Sequence, residues 1–233
     1  IHIGALERTA TELDLELLAV AAEPFAVARS VVGDDPNAQL SAVLMDVGGG
    51  TTDIAVVNEG GVEGTKMFGI GGRAFTHAIE RELDIDFTKA EALKVGLGGH
   101  QVAATQRPEV EKALNKTLNV WTGGVELALA EFNKLDHLPH KLLLCGGGSS
   151  LQMLMERLEE GEWYKNLPFT KKPLVQHIQP EEVVGITDTT GDASDHTYIT
   201  AMGLLRVGMD TTSSGAAPET TSVKDKLNRA LRT

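Results

Sequence analysis

Residues 46–53 read DVGGGTTD and carry the densest chemistry in the chain. Gly48, Gly49 and Gly50 have no Cβ, so their backbone can come close to a ligand and turn its N–H groups inward, a concavity that suits phosphate oxygens. Thr51 and Thr52 add hydroxyl donors. Asp46 ends an apolar run and is placed to hold Mg2+ through water, offsetting phosphate charge, while Asp53 is placed to orient the hairpin or the waters of the metal. Taken alone, such a glycine cluster is as readily a hairpin turn or a bulge. Two further glycine loops accompany it. GIGG at 69–72, ending in Gly71 and Gly72, opens directly onto a helical pattern. CGGGSS at 145–150, with Gly146, Gly147, Gly148 and Ser149, joins an apolar run to another helix. Helix N-termini present unpaired N–H groups and favour anions.

The elements that must position these loops follow from periodicity. SAVLMDV, TTDIAVVNEG and VEGTKMFGI read as three strands separated by glycines, an antiparallel meander. Before them, LDLELLAVAAE at 13–23 reads as a strand broken at Pro24, and FAVARSVVG as a helix closed by Gly33. After them, RAFTHAIERELDI puts Phe75, Ile79 and Leu83 on one helical face, and FTKAEALKVGL continues a second helix with Thr88 as its cap. A long helix near 108–135 carries Val110, Leu114, Leu118, Val125, Leu129 and Phe132, with a bend expected at Gly123 and Gly124. KLLLC then reads as a buried strand, LQMLMERLEEG as a helix and PLVQHI as a short strand. HTYITAMGLLRVG is the closing helix, with Tyr198, Ala201, Leu204 and Leu205 expected to pack, and the folded part is expected to end near Gly208.

Composition narrows the class. With 233 residues, 42% hydrophobic and 23% charged, the chain is long enough to bury a sizeable core. A net charge of −12 argues against nucleic acid, since no local basic patch offsets it in the folded part. The single cysteine, Cys145, excludes an intramolecular disulfide and fits a reducing, cytoplasmic setting. No apolar run approaches membrane-spanning length, and the first residues lack the pattern of a signal peptide. The chain begins at Ile1 rather than Met, as expected of a piece of a longer protein. Residues 209–222 read as a flexible linker, poor in large apolar side chains, and 223–233 as a basic amphipathic tail with Val223, Leu227 and Leu231 on one face. His137 and His140 have no metal-ligand pattern around them, the acidic stretch ITDTTGDASD lacks the alternation of a calcium loop, and no GxSxG elbow surrounds Ser149.

Over most of residues 15–207 these motifs resemble the actin-like ATPase superfamily. DVGGGTTDIAVV looks like its second phosphate motif and LLLCGGGSSL like its adenosine motif, in the same order and at a similar separation. AEPFAVA at 22–28 resembles the glutamate-proline turn that shortly precedes the second phosphate motif. The resemblance implies that Glu23 positions or activates the attacking water, next to Asp46 on the metal side. AEALK at 90–94 resembles the segment that contacts ribose and base, which assigns Glu91 and Lys94 to the nucleotide; read from the residues alone, the two form a surface ion pair.

Within the superfamily, EPFAVARSV, GIGGRAFTHAI and TYITAMGLL are most similar to the FtsA and PilM branch, FtsA first. That resemblance implies an α/β fold of the actin-like (ribonuclease H-like) kind: a lobe with a mixed sheet flanked by helices, and a small helical subdomain. Residues 1–40 would be a remnant of a first lobe, 41–208 the second lobe, and about 75–137 its helical part. It further implies ATP and Mg2+ as cofactors, with hydrolysis slow or absent and dependent on a first lobe. The partners implied are a protein polymer or partner tails of a division ring or pilus machine, self-association, and weak membrane contact through the tail at the inner face of the membrane. A non-enzymatic scaffold of the same fold is the alternative. Two departures stand out. The first phosphate motif is missing, since IHIG at 1–4 has His2 where an aspartate is required, and the passage from 94 to 114 is short for the β-rich subdomain of FtsA.

Overall fold

The computed structural model describes residues 2–33, 39–98 and 102–213. The linker beyond 213 and the basic tail lie outside the described residues. Five strands form one mixed sheet: β1 (Ala42–Val47), β2 (Thr52–Asn58), β3 (Gly61–Phe68), β4 (Lys141–Cys145) and β5 (Leu174–His177), in the order β3-β2-β1-β4-β5. β1, β2 and β3 pair antiparallel, as their glycine-punctuated spacing predicts. β4 lies parallel to β1 and β5 parallel to β4, because each is reached through a helical crossover that returns the chain to the same end of the sheet.

β1 is buried along its whole length, and its side chains alternate between two cores. Val43, Met45 and Val47 point to one face, where α3 (Gly72–Leu83), α4 (Phe87–Gly96), α5 (Arg107–Ala130) and α6 (Gln152–Glu160) cover them with Phe75, Ile79, Leu114, Trp121 and Leu154. The helical stretch expected as a small subdomain therefore shares one continuous core with the sheet. Ala42 and Leu44 point to the other face, against Val27 and Ala28 of α2 (Glu23–Val32) and Ile199 and Met202 of α7 (Ile199–Ser213). Residues 23–32, assigned by sequence to a remnant of another lobe, are in this way part of the second core. α2 and α7 approach so closely that a Cβ on Gly203 would sit 2.2 Å from the carbonyl oxygen of Ala26.

Several local expectations are corrected. Residues 2–12 form a helix, α1, and 15–22 have no regular structure, because no neighbouring strand pairs with them and Leu13, Leu15 and Leu18 stay exposed. The cap of α4 is Asp86, whose carboxylate accepts the Lys89 N–H, not Thr88. α5 runs through Gly123 and Gly124 as one helix; the bare face at Gly124 instead seats the ring of Phe68, 2.9 Å from where a Cβ would be. α7 continues to Ser213, past Gly208, and buries Ile199 and Met202, leaving Tyr198, Ala201, Leu204 and Leu205 exposed. Its last turns are held by an ion pair between Arg29 and Asp210.

Candidate functional site

Because β1 and β4 run parallel, their carboxyl ends lie side by side, and the loops leaving them, 48–51 and 146–150, meet at one edge of the sheet. Open α/β sheets place ligand sites at such an edge. The third glycine loop joins them through the backbone. Gly72 N donates to Gly48 O at 2.8 Å and Arg73 N to Gly49 O at 2.8 Å, which ties the start of α3 to the β1–β2 loop. A Cβ on Gly71 would lie 2.5 Å from Gly48 O and 2.8 Å from Thr51 N; one on Gly148 would lie 2.7 Å from Val47 O. Gly146 has φ +80°, a left-handed conformation, and a Cβ there would reach 2.1 Å from Asp46 Oδ1. The three loops are thus one backbone-lined cradle. The N–H groups of Gly49 and Gly50 donate to nothing among the described residues.

Beside the cradle is a cleft with about 520 Å³ of empty space, its open mouth included. Gly72, Phe75, Glu91 and Lys94 line one wall, and Gly147, Gly148, Ser150 and Leu151 the other. The sequence thus brings to one cleft three segments far apart in the chain. Lys94 is more constrained than the sequence suggests. Its ammonium donates to Gly72 O at 3.1 Å, Thr76 Oγ1 at 2.9 Å and Glu91 Oε2 at 2.8 Å, which uses all three of its protons. Thr76 also donates to Glu91, and these bonds pull that carboxyl below its ordinary range despite partial burial. Lys94 thus ties α3 to α4 along this wall, and Glu91 and Ser150 are further polar side chains lining the cleft.

The carboxylates gather on the other side of the loop. Asp46 and Asp53 are directly opposed across β1 and β2, so their side chains share the α2–α7 face of the sheet. Burial raises the pKa of Asp46, and a hydrogen bond from Thr200 on α7 pulls it partly back. Burial likewise raises Asp53, the neighbouring Thr51 hydroxyl opposes the shift, and the charge of Asp46 adds to it. Glu23, at the start of α2, is raised by partial burial and then by the negative charges of Asp46 and Asp53. These three carboxyls share one field, and no salt bridge relieves it among the described residues. Cys145 beneath them is buried, and its thiol is pushed well above the ordinary range by burial and by Asp46. It is no nucleophile here.

A divalent cation suits this donor set. Oxygen-only ligands with raised pKa values are stabilised by a nearby positive charge, and Mg2+ keeps most of its waters when held by one or two carboxylates. No group of three or more His, Cys, Asp or Glu side chains close enough to bind a metal directly is found among the described residues; Asp46 and Asp53 are the residues whose chemistry would suit an ion that keeps its waters.

Two hydroxyls expected at the ligand face elsewhere. Thr52 is fully buried, accepts from Trp121 Nε1 at 2.9 Å and donates to Ile70 O at 2.8 Å. Its hydroxyl is a core strut between β2, α5 and the 69–72 loop. Ser149 is buried too and donates to Gly146 O at 2.7 Å, fixing the turn of its own loop. Sequence reasoning missed Thr200, and it also missed the stacked imidazoles of His177 and His196, with centroids 3.8 Å apart and planes 10° from parallel. His177 Nε2 donates to Ser149 O at 3.1 Å and His196 Nε2 lies 2.9 Å from Ser150 Oγ, so the pair buttresses the 146–150 loop from outside the cleft. Neither histidine lies in a recognisable motif; only strand β5 and the turn before α7 bring them together.

Comparison with known proteins agrees with this architecture. The family described as "Cell division protein FtsA" matches residues 43–203. Cell division protein FtsA of Pseudomonas aeruginosa is 26% identical over 229 residues, covering 90% of this chain and 52% of that protein. That of Escherichia coli K12 is 25% identical over 246 residues, covering 92% and 53%. The chain spans about half the length of the curated relatives it matches. Among solved structures, a PilM-PilN type IV pilus biogenesis complex is similar with a TM-score of 0.69 at 19% identity, over 88% of this chain and 57% of that one. MreB5 of Spiroplasma citri bound to ADP is similar with a TM-score of 0.60 at 17% identity, over 92% and 67%. These likenesses speak to the fold, which is that of the actin-like ATPases. With its sheet order, its three joined glycine loops and a family match running from β1 into α7, the chain belongs to the FtsA family.

Proposed function

We propose that this chain is the second nucleotide-binding lobe of an FtsA-type protein and holds ATP in assembly at the bacterial division site. The observation that carries the reading is the fusion of three glycine loops, through Gly48, Gly71 and Gly148, into a cradle with free N–H groups beside an open cleft. In this reading the base and ribose enter the cleft between Glu91 and Gly147–Leu151. The phosphates follow Gly48, Gly49, Gly50 and Thr51, and Gly72 lies at the helix start that faces them. Asp46 and Asp53 are the residues that would hold Mg2+ through its waters; the ion, when bound, supplies charge neutralisation for the phosphates. Glu23 is accessible enough to hold a proton at its carboxyl near the outermost phosphate, a suitable post for slow hydrolysis. A first lobe must supply the facing wall, in keeping with relatives about twice as long.

The same reading divides the chain into a lobe at 41–208, with 75–137 as its helical part and α2 packed onto it from within the 1–40 stretch that leads in from the first lobe, followed by a linker and a tail at 223–233. It places the protein in the cytoplasm at the inner face of the membrane, among self-associating copies and tails of division proteins. No helix of the described residues is long and apolar enough to cross a bilayer; in this reading membrane contact is weak and peripheral, through the tail. The likeness to PilM favours a pilus-assembly role as the second reading. Titration calorimetry of the chain with ATP, ADP and adenosine, with and without Mg2+, tests the first step. Saturable binding of ATP that weakens when Mg2+ is removed is expected, and no binding of any of the three would leave a scaffold of the same fold.

A further inference from the structure

A nucleoside triphosphate brings more negative charge to the cradle than Gly49 and Gly50 N–H groups can balance, and Glu23, Asp46 and Asp53 already make that end acidic. The chain has 33 acidic and 21 basic residues, and most of its well-placed cations are committed. Lys66, Lys89, Lys112, Lys116 and Lys165 sit in ion pairs, and Lys94, at the cleft, has all three protons engaged. Arg73 differs. It is the second residue of α3, exposed, and its guanidinium pairs with no carboxylate among the described residues. Its backbone N–H is fastened to Gly49 O, and its side chain lies against the β1–β2 loop. A Cβ on Gly50 would lie 2.7 Å from Arg73 Nη2, so the bare backbone at 50 leaves room for the guanidinium, which also rests beside Gly49, 3.7 Å from where a Cβ there would be.

From this geometry we propose that Arg73 is a phosphate-binding residue that works with the Gly49 and Gly50 N–H groups to grip the outermost phosphate, and thereby favours nucleoside triphosphate over diphosphate. The inference rests on the nucleotide reading above and deepens it. Free amides and a planar guanidinium with uncommitted donors at one loop form an oxyanion site, and Arg presents paired N–H donors that match phosphate oxygens. Position 73 also explains selectivity: it reaches the 49–50 end of the loop, whereas the adenosine cleft is walled by Glu91 and Gly147–Leu151.

The test compares the wild-type chain with Arg73→Gln and Arg73→Lys by titration calorimetry with Mg2+ and, in turn, adenosine, ADP and a non-hydrolysable ATP analogue. The expected result is a loss of ten-fold or more in affinity for the triphosphate in Arg73→Gln, a smaller loss in Arg73→Lys, and adenosine affinity within two-fold of wild type in both. Triphosphate affinity unchanged in Arg73→Gln, with wild type binding it, overturns the role of Arg73 and leaves the nucleotide reading standing. Equal weakening of adenosine and triphosphate overturns it as well, since the residue would then be shaping the cleft as a whole. A wild-type chain that binds none of the three removes the nucleotide reading itself.

Discussion

Replacing Asp46 by Asn should stabilise the ligand-free protein while removing its response to magnesium. Asp46 is 7% exposed and faces Asp53 across two strands, with no cation beside it among the described residues. Directly opposed like charges on neighbouring strands, together with an ionised carboxylate out of water, cost about 1–2 kcal/mol. Asn keeps an oxygen to accept the Thr200 hydroxyl, so the variant sheds charge and little else. For a chain of this length that gain raises Tm by roughly 2–8 °C. Its pH dependence has a definite sign. Burial raises the Asp46 pKa, so the folded state holds the proton more tightly than the unfolded one; stability is lost as pH rises from the ordinary carboxyl range through the folded-state value. The advantage of Asp46→Asn should therefore be full at pH 7 and disappear in acid, where both states of the wild type are protonated. Thermal melts of the two proteins from about pH 3 to 7.5, and at pH 7 with ATP and with Mg2+ added or chelated, read all of this. An Asp46→Asn protein that melts lower at pH 7 would refute the account of an unbalanced carboxylate. One that kept the full Mg2+-dependent shift would remove Asp46 from the metal site.

Three further outcomes are expected. Gly123→Ala, where added atoms meet open space, should gain about 0.5–1 kcal/mol of stability by chemical denaturation, and Gly124→Ala should lose stability because its Cβ meets the Phe68 ring. Thr52→Val should cost about 1–3 kcal/mol by stranding the Trp121 N–H and the Ile70 carbonyl, with triphosphate affinity held near wild type in titrations at a temperature where the variant is folded. The His196 pKa is lowered by burial and then by the charge of His177, so its contribution to stability is present above about pH 6.5 and is lost as pH falls below it. His196→Gln should flatten that part of the melting curve against pH, and an unchanged slope would assign the acid sensitivity to another group.

Much of the fold was legible because the glycine-bounded apolar runs at 41–70 and the run KLLLC leave little choice but strands, and because three glycine loops in one order restrict the ways a sheet can bring them together. What escaped was whatever depends on which neighbour is present. LDLELLAVAAE has the pattern of a strand but no strand to pair with, and a pattern alone makes no hydrogen bonds. In α7, helical periodicity offered two apolar stripes, and the close approach at Gly203 decided in favour of Ile199 and Met202. At the site, the glycines were readable because their need is for space. The hydroxyls of Thr52 and Ser149 were not, since a hydroxyl beside a glycine loop can face either way, and here Trp121 and the Gly146 carbonyl had the nearer claim.

A single methyl group at Gly71 would collide with the main chain of the 48–51 loop, one at Gly148 with Val47 and the Gly48 carbonyl, and one at Gly146 with the Asp46 carboxylate and the Val47 main chain. A map of tolerated substitutions would consequently outline this cradle through folding alone, even in a descendant that had given up its ligand. Such a descendant could shed Glu23, Asp53 and Arg73 one at a time while keeping every one of these glycines. Across divergent relatives, then, it is the drift of those charged positions against a constant glycine frame that would mark where in the lineage the ligand was kept and where it was lost.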